Sequence, residues 1–153
     1  MKYLKLLVAI LILPLTFMAK AQPGGAKPSD VGIFEHLDDT IPLNLTFYNE
    51  EGKVVKLGDY INKPTLLSFV YFDCPGLCNP LLDGVNEVVG KIDMNLGVHY
   101  DVVTISFNPG DSPAKAVDKK KNFATVLTDK NRAHWNFLVG DTANVNKILD
   151  AVE

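Results

Sequence analysis

Cys74 and Cys78 are the only two cysteines of the 153-residue chain. A cysteine thiolate is both the nucleophile of disulfide exchange and a soft metal ligand. Before the pair comes an apolar run, residues 67–72, whose β-branched and aromatic side chains predict a strand buried on both faces. Pro75 and Gly76 interrupt this run, so the cysteines are predicted to lie at a turn.

The residues after the pair predict the start of a helix. Asn79 is a favourable N-cap, and Pro80 suits the first helical position because its missing N–H costs nothing there. Cys78 then lies beside the positive end of the helix dipole and Cys74 within reach of it, so both thiols are expected to ionise more easily than free cysteine. A thiolate at this position suits both disulfide exchange and metal binding. The cysteine pair alone does not show which of the two occurs.

The first 21 residues have the pattern of a secretory signal peptide. Lys2 and Lys5 supply a basic start, residues 6–18 an apolar stretch, and residues 19–21 (Ala-Lys-Ala) a cleavage site. The apolar stretch is shorter than the roughly 20 residues that span a bilayer. We therefore predict an exported protein in the periplasm or another extracytoplasmic space, with an uncleaved membrane anchor as the alternative.

Export changes the interpretation of the cysteine pair. In an oxidising compartment, two cysteines most often form a structural disulfide. A bridge between Cys74 and Cys78, however, closes so short a loop that it constrains little of the unfolded chain. Redox or metal chemistry explains the spacing better, and the structural disulfide stays an alternative.

Beyond the signal, 132 of the 153 residues remain, enough for one hydrophobic core. Residues 22–30, rich in proline and glycine, predict a flexible linker, and residues 31–153 a single domain. Of the 15 basic residues three lie in the signal, so 12 basic and 18 acidic residues remain, a formal charge of −6. This balance argues against nucleic acid as a partner, and membrane contact is expected only through an uncleaved signal.

The rest of the chain alternates strand and helix patterns. Turn residues 49–52 lie between two short runs, 41–47 and 53–57, and predict a β-hairpin. Further patterns predict strands at 67–72, 100–107 and 135–139. Helices are predicted at 80–93, after the cap Ser112 through about residue 127, and from 145 onward. Within the second helix, Lys119, Lys120 and Lys121 are interpreted as a solvated face. This order is typical of an α/β fold with a mostly parallel central sheet between helices, and the cysteine turn is expected at the carboxyl end of a central strand.

Four segments resemble the Sco/SenC family of exported copper-binding proteins, which have a thioredoxin-like fold and serve cytochrome oxidase assembly. They are YFDCPGLC at 71–78, PLLDG at 80–84, DVVTISFNP at 101–109 and WNFLVGD at 135–141. The resemblance runs from about residue 31 to the end of the chain. It implies that Cys74 and Cys78 hold copper, as Cu(I) or Cu(II), together with a downstream histidine.

The resemblance also implies that the chain is incomplete. The third ligand, a histidine, is expected beyond residue 153, and the last strands and helix of the fold have no residues to form them. We therefore predict an incomplete thioredoxin-like domain in which either the strand ending at Val139 is left as an unprotected edge or a helix face is left uncovered.

The histidines and carboxylates near the motifs have simpler interpretations. His36, His99 and His134 all fall on predicted loops, and none matches the ligand position that the family implies. Asp73 and Asp111 are predicted near the thiols, either as turn residues or as carboxylates that favour a bound cation and oppose thiolate formation. The family commonly has an acidic residue where this chain has Asn108.

Three functions follow from these observations. The first is a non-enzymatic metallochaperone that passes copper to a cytochrome oxidase subunit or another copper protein. The second is an exported thiol–disulfide oxidoreductase, with Cys74 as the more exposed attacking thiol and Cys78 as the resolving one. The third is a structural module with an oxidised pair.

Overall fold

A computed structural model of the protein describes residues 36–152. The predicted signal peptide and linker lie outside this range. Within it the chain forms five strands, which are β1 (Thr46–Tyr48), β2 (Val54–Lys56), β3 (Thr65–Val70), β4 (Asp101–Ser106) and β5 (Trp135–Val139). They make one sheet of order β2-β1-β5-β4-β3. The helices of the same range are α1 (Cys78–Lys91), α2 (Pro113–Phe123), the single-turn α3 (Asp129–Arg132) and α4 (Thr142–Val152).

The predicted hairpin is formed by β1 and β2, which pair antiparallel with Phe47 opposite Val55. The Asn49 side chain accepts hydrogen bonds from the backbone N–H groups of Glu51 (3.1 Å) and Lys53 (2.9 Å), which closes the turn. Gly52 takes the positive φ of 74° that this turn requires. The first strand is shorter than predicted, because it starts at residue 46 rather than 41.

Strands β3, β4 and β5 are parallel to one another, as predicted. All six residues of β4 are buried, because neighbouring strands and both side-chain layers cover it. A chain of polar contacts crosses the three strands: the Ser68 and Thr104 hydroxyls lie 2.9 Å apart, and the Trp135 indole N–H donates to the Thr104 oxygen at 2.9 Å. These bonds satisfy polar groups that burial would otherwise leave without partners.

The strand order corrects two predictions. β3 lies at an edge of the described sheet, so the cysteine turn follows an edge strand rather than a central one. β5 lies inside the sheet, between β1 and β4, so the predicted open edge at Val139 is wrong. The hairpin covers the side of β5 that was predicted to be open, because Tyr48 of β1 pairs antiparallel with Val139.

Hydrophobic side chains cover both faces of the sheet. On one face Val102, Trp135 and Phe137 pack against α1 and α2, and on the other Val103 and Ile105 pack against the hairpin and α4. The alternation along β4 assigns neighbouring residues to opposite layers. This two-layer arrangement confirms the predicted α/β class.

Helix boundaries differ from the predictions by a few residues. Ser112 is the N-cap of α2, as predicted, and accepts a hydrogen bond from the backbone of Lys115 at 3.4 Å. The α-helix ends at Phe123 and continues as a single 3-10 turn. α4 begins at Thr142 rather than at residue 145, because the Asp141 carboxylate accepts from the Asn144 N–H (2.8 Å) and caps the helix.

The sheet covers only part of the apolar face of α1. Leu82, Val85 and Val89 are buried against the sheet. Leu81 and Val88, on the flank of the same face, are 46% and 50% exposed. Only part of the apolar face of α1 is therefore covered within the described residues. Within residues 36–152, the helices are too short or too polar to cross a membrane.

Candidate functional site

The turn between β3 and α1 carries both cysteines. The backbone N–H of Cys74 donates to the carbonyl of Tyr71 at 3.2 Å, which closes the turn after the strand. Cys78 is the first residue of α1, so the prediction of Asn79 as N-cap and Pro80 as first helical residue is wrong. Pro80 fits the third helical position because the N–H groups of a first turn have no acceptor within the helix.

Hydrogen bonding favours a thiolate at Cys74. Its pKa is lowered from 9.0 to about 7, mainly because the Cys78 thiol donates a hydrogen bond to it. Burial acts in the opposite direction, while the backbone N–H groups of Gly76 and Cys78 and the hydroxyl of Tyr71 lower the pKa further. A large fraction of Cys74 is therefore ionised at neutral pH.

Cys78 behaves in the opposite way. Burial raises the pKa of the Cys78 thiol, and the hydrogen bond with Cys74 adds to this effect. The expectation that both thiols ionise easily is therefore wrong for Cys78. The predicted difference in exposure is also wrong, because 9% of Cys74 and 8% of Cys78 are accessible. Burial opposes ionisation of both thiols, so the hydrogen bonds that Cys74 receives make the pair asymmetric.

Tyr71 contacts Cys74, and Phe107 packs against Tyr71. The Tyr71 hydroxyl bonds the Cys74 sulfur, and this contact raises the pKa of the tyrosine. Its ring meets the Phe107 ring edge-on, with 5.5 Å between centroids. Leu77, between the two cysteines in sequence, is 85% exposed. The thiols thus lie close to the surface among apolar side chains.

Asp111 fixes the turn to the neighbouring strand. Its buried carboxylate accepts hydrogen bonds from the Phe72 backbone N–H (2.8 Å) and from the Ser106 hydroxyl (2.6 Å). Lys115 of α2 bridges Asp111 (3.2 Å) and Asp73. Burial opposes ionisation of Asp111, but these three partners together lower its pKa. Both predicted carboxylates thus lie at the turn, where Lys115 pairs with each of them.

Lys119 is a site residue that was not expected from the sequence. The prediction of a solvated face over residues 119–121 is wrong at this position, because only 8% of the Lys119 surface is exposed. Its ammonium donates to the Asn79 side-chain oxygen at 2.8 Å and lies 5.2 Å from the Phe123 ring centroid. The helical spacing of Ala116, Lys119 and Phe123 places them on one face of α2, and this periodicity was the available signal.

His99 and His134 lie near the amino end of β4, away from the cysteine turn. His134 contacts the Asp101 carboxylate (3.1 Å) at the amino end of β4, and His99 accepts from the Asn95 N–H (2.9 Å) in the loop before it. The cysteine turn follows the carboxyl end of β3, which is parallel to β4. Among the described residues, no group of three or more histidine, cysteine or carboxylate side chains is arranged to hold a metal ion.

A family profile, SCO1/SenC, matches residues 37–152. The chain belongs to the SCO1/SenC family. This confirms the family that the four sequence segments indicated. No curated protein matches the chain.

Solved structures share the fold. A protein from Aquifex aeolicus VF5 has a TM-score of 0.63 at 23% identity, over 74% of this chain and 64% of that one. ScoI from Bradyrhizobium japonicum, solved with copper bound, has a TM-score of 0.56 at 26% identity, over 73% and 66% of the two chains. A SCO1/SenC family lipoprotein from Bacillus anthracis str. Ames has a TM-score of 0.58 at 21% identity, over 76% and 66%. The chain thus spans about two thirds of the length of these SCO1/SenC-like structures.

Proposed function

We propose that this SCO1/SenC protein is an exported metallochaperone that binds copper through Cys74 and Cys78 and delivers it to a respiratory cytochrome oxidase. Two cysteines that lie in one buried cluster, with the pKa of Cys74 lowered to about 7, support the proposal most directly. Copper in the related ScoI structure supports it as well. The predicted signal and the related lipoprotein favour a periplasmic or other extracytoplasmic location.

The donor set suits Cu(I) better than Cu(II). Cu(I) is a soft ion that two thiolates can hold, whereas Cu(II) prefers an added imidazole. The histidine ligand that the family resemblance implies has no counterpart near the sulfurs in residues 36–152. Loading also requires Cys78 to lose its proton, because thiolates rather than thiols bind the metal. We therefore expect Cu(I) binding that strengthens with pH and only weak Cu(II) binding.

Competition with a coloured Cu(I) chelator tests this proposal. The reduced wild-type chain should retain one equivalent of Cu(I), and both Cys74→Ser and Cys78→Ser should lose it, since each removes half of the sulfur ligands. Met94→Leu is the matched control, because it removes an exposed sulfur from the loop after α1 and should leave binding unchanged. Retention of Cu(I) by either serine variant, or tight Cu(II) binding by the wild type, would contradict the site.

A second candidate function, thiol–disulfide exchange, is favoured by the unequal pKa values of the two thiols. The Cys74 thiolate attacks one sulfur of a target disulfide, and the first target sulfur leaves as a thiolate that takes up a proton. Cys78, after losing its proton, attacks the Cys74 sulfur and releases the second target thiolate. The target gains two electrons, and the protein is left with a Cys74–Cys78 disulfide.

Experiments that start from the copper-free protein distinguish the metallochaperone from the oxidoreductase. If this protein reduces a model peptide disulfide but retains no Cu(I), the oxidoreductase replaces the metallochaperone. If it does neither, the structural disulfide is the remaining hypothesis. In the exchange reaction Cys74→Ser should abolish attack, while Cys78→Ser should trap a mixed disulfide that mass spectrometry detects.

A further inference from the structure

Lys119 places a charge in a poorly solvated position. Burying an ammonium group is unfavourable unless hydrogen bonds or an opposite charge compensate it. The partners of Lys119 are the neutral amide of Asn79 and the ring of Phe123. It makes no ion pair with any carboxylate of residues 36–152. The other α2 lysines with defined partners differ, because Lys115 pairs with Asp73 and Asp111 and Lys120 with Glu50.

A charge without an ion-pair partner acts on its surroundings more strongly in a buried site than in water. Asn79, the hydrogen-bond partner of Lys119, directly follows Cys78 in the first turn of α1. The lysine therefore joins α2 to the turn that carries the second thiol. The positive charge also favours the anionic form of Cys78.

We propose that Lys119 is a positioning residue of the copper site, which holds the first turn of α1 through Asn79 and offsets the negative charge of Cu(I) bound by two thiolates. This inference rests on the proposed function. Two thiolates and one Cu(I) ion carry a net charge of −1, and the buried ammonium makes the assembly neutral. In a partly buried site, a neutral assembly has a smaller desolvation penalty than a charged one.

Cu(I) affinities of four variants test the proposal. Lys119→Met removes the charge and the hydrogen bond, and Asn79→Asp keeps an oxygen acceptor but neutralises the lysine. We expect Cu(I) to bind about 10- to 100-fold more weakly in both, the range typical of residues that support metal ligands. Lys119→Arg keeps the charge and should stay close to wild type. Lys121→Met, on the exposed side of α2, is the control for loss of a lysine.

The Asn79→Asp variant distinguishes the effect of the Lys119 charge from the effect of the contact that Lys119 makes with α1. If Lys119 only held the helix in place, the aspartate would preserve that contact and Cu(I) affinity would not change. A folded Asn79→Asp variant with wild-type affinity therefore overturns the proposal. Circular dichroism establishes that each variant is folded, and Asn79→Asp carries the test if Lys119→Met fails to fold.

The reduction potential of the copper-free pair distinguishes failure of this inference from failure of the proposed function. Reduction of the disulfide creates thiolate charge, which a nearby cation stabilises, so Lys119→Met and Asn79→Asp should have more negative potentials than wild type at pH 8. If wild type binds no Cu(I) but the potentials shift, the copper function fails and Lys119 still supports the thiol pair. If potentials and affinities both stay unchanged, the role of Lys119 is refuted.

Discussion

At the scale of single residues, hydrogen bonds decide which thiol is ionised. Cys74 and Cys78 are equally shielded, yet the pKa of the first is lowered and that of the second raised. Donors to Cys74 come from the Cys78 thiol, from two backbone N–H groups and from the Tyr71 hydroxyl. The ionised sulfur is thus the one that receives the most donors.

Removing one of these donors should make Cys74 less acidic. Tyr71→Phe keeps the ring contact with Phe107 but removes the hydroxyl, so we expect the pKa of Cys74 to rise above its value of about 7. The pH dependence of iodoacetamide labelling, with the labelled cysteine identified by mass spectrometry, measures this change. Tyr48→Phe, on the exposed face of β1, is the matched control. An unchanged midpoint in Tyr71→Phe would show that the hydroxyl does not stabilise the thiolate.

At the scale of elements, the site is a junction of β3, β4 and α2 rather than a property of one turn. Asp111 follows β4, and its carboxylate binds the backbone of Phe72, two residues before Cys74. Lys115 of α2 then connects this carboxylate to Asp73. Asp111 and Lys115, which are distant from the cysteine turn in sequence, therefore hold this turn in place.

Asp111→Ala should destabilise this junction. The substitution leaves the Phe72 N–H and the Ser106 hydroxyl without their acceptor, which costs about 1–3 kcal/mol of unfolding free energy. Urea unfolding of the reduced protein measures the loss. Asp118→Ala, an exposed aspartate on α2, should change stability little. Equal effects of the two substitutions would show that Asp111 has no special anchoring role.

At the scale of the whole molecule, the thiols connect folding stability to pH. The pKa of Cys74 in the folded chain lies near 7 and its ordinary value is 9.0, so the folded state favours the thiolate. Its stabilising contribution is fully present above pH 9 and is lost as pH falls through 7. Cys78 has the opposite sign, because its raised pKa lowers stability as pH rises through and above its ordinary value.

The unfolding free energy of the reduced protein should therefore rise between pH 7 and about 9 and level off or fall at higher pH. Chemical denaturation at a series of pH values measures this profile. Cys74→Ser, which has no thiol to titrate at that position, should lack the rise. The same rise in Cys74→Ser would assign the pH dependence to other groups.

Many features of the fold could be predicted from the local pattern of residue types in the sequence. The run before Cys74, the Trp135 strand and the Ser112 cap were predictable because period, β-propensity and capping are properties of neighbouring residues. The cysteine turn at the carboxyl end of a strand followed from the same signals. The four motif segments indicated the SCO1/SenC family by their residue types and order alone.

Tertiary structure alone decided how these pieces meet. Strand order depends on contacts between distant segments, so only the fold showed that β3 is an edge strand and that Tyr48 closes the sheet beside Val139. The acidity of each thiol depends on donors and burial supplied by the fold, and the burial of Lys119 depends on α2 packing beside α1. Residue types and spacing determined which chemistry was available, whereas long-range packing determined the charge on each group that performs it.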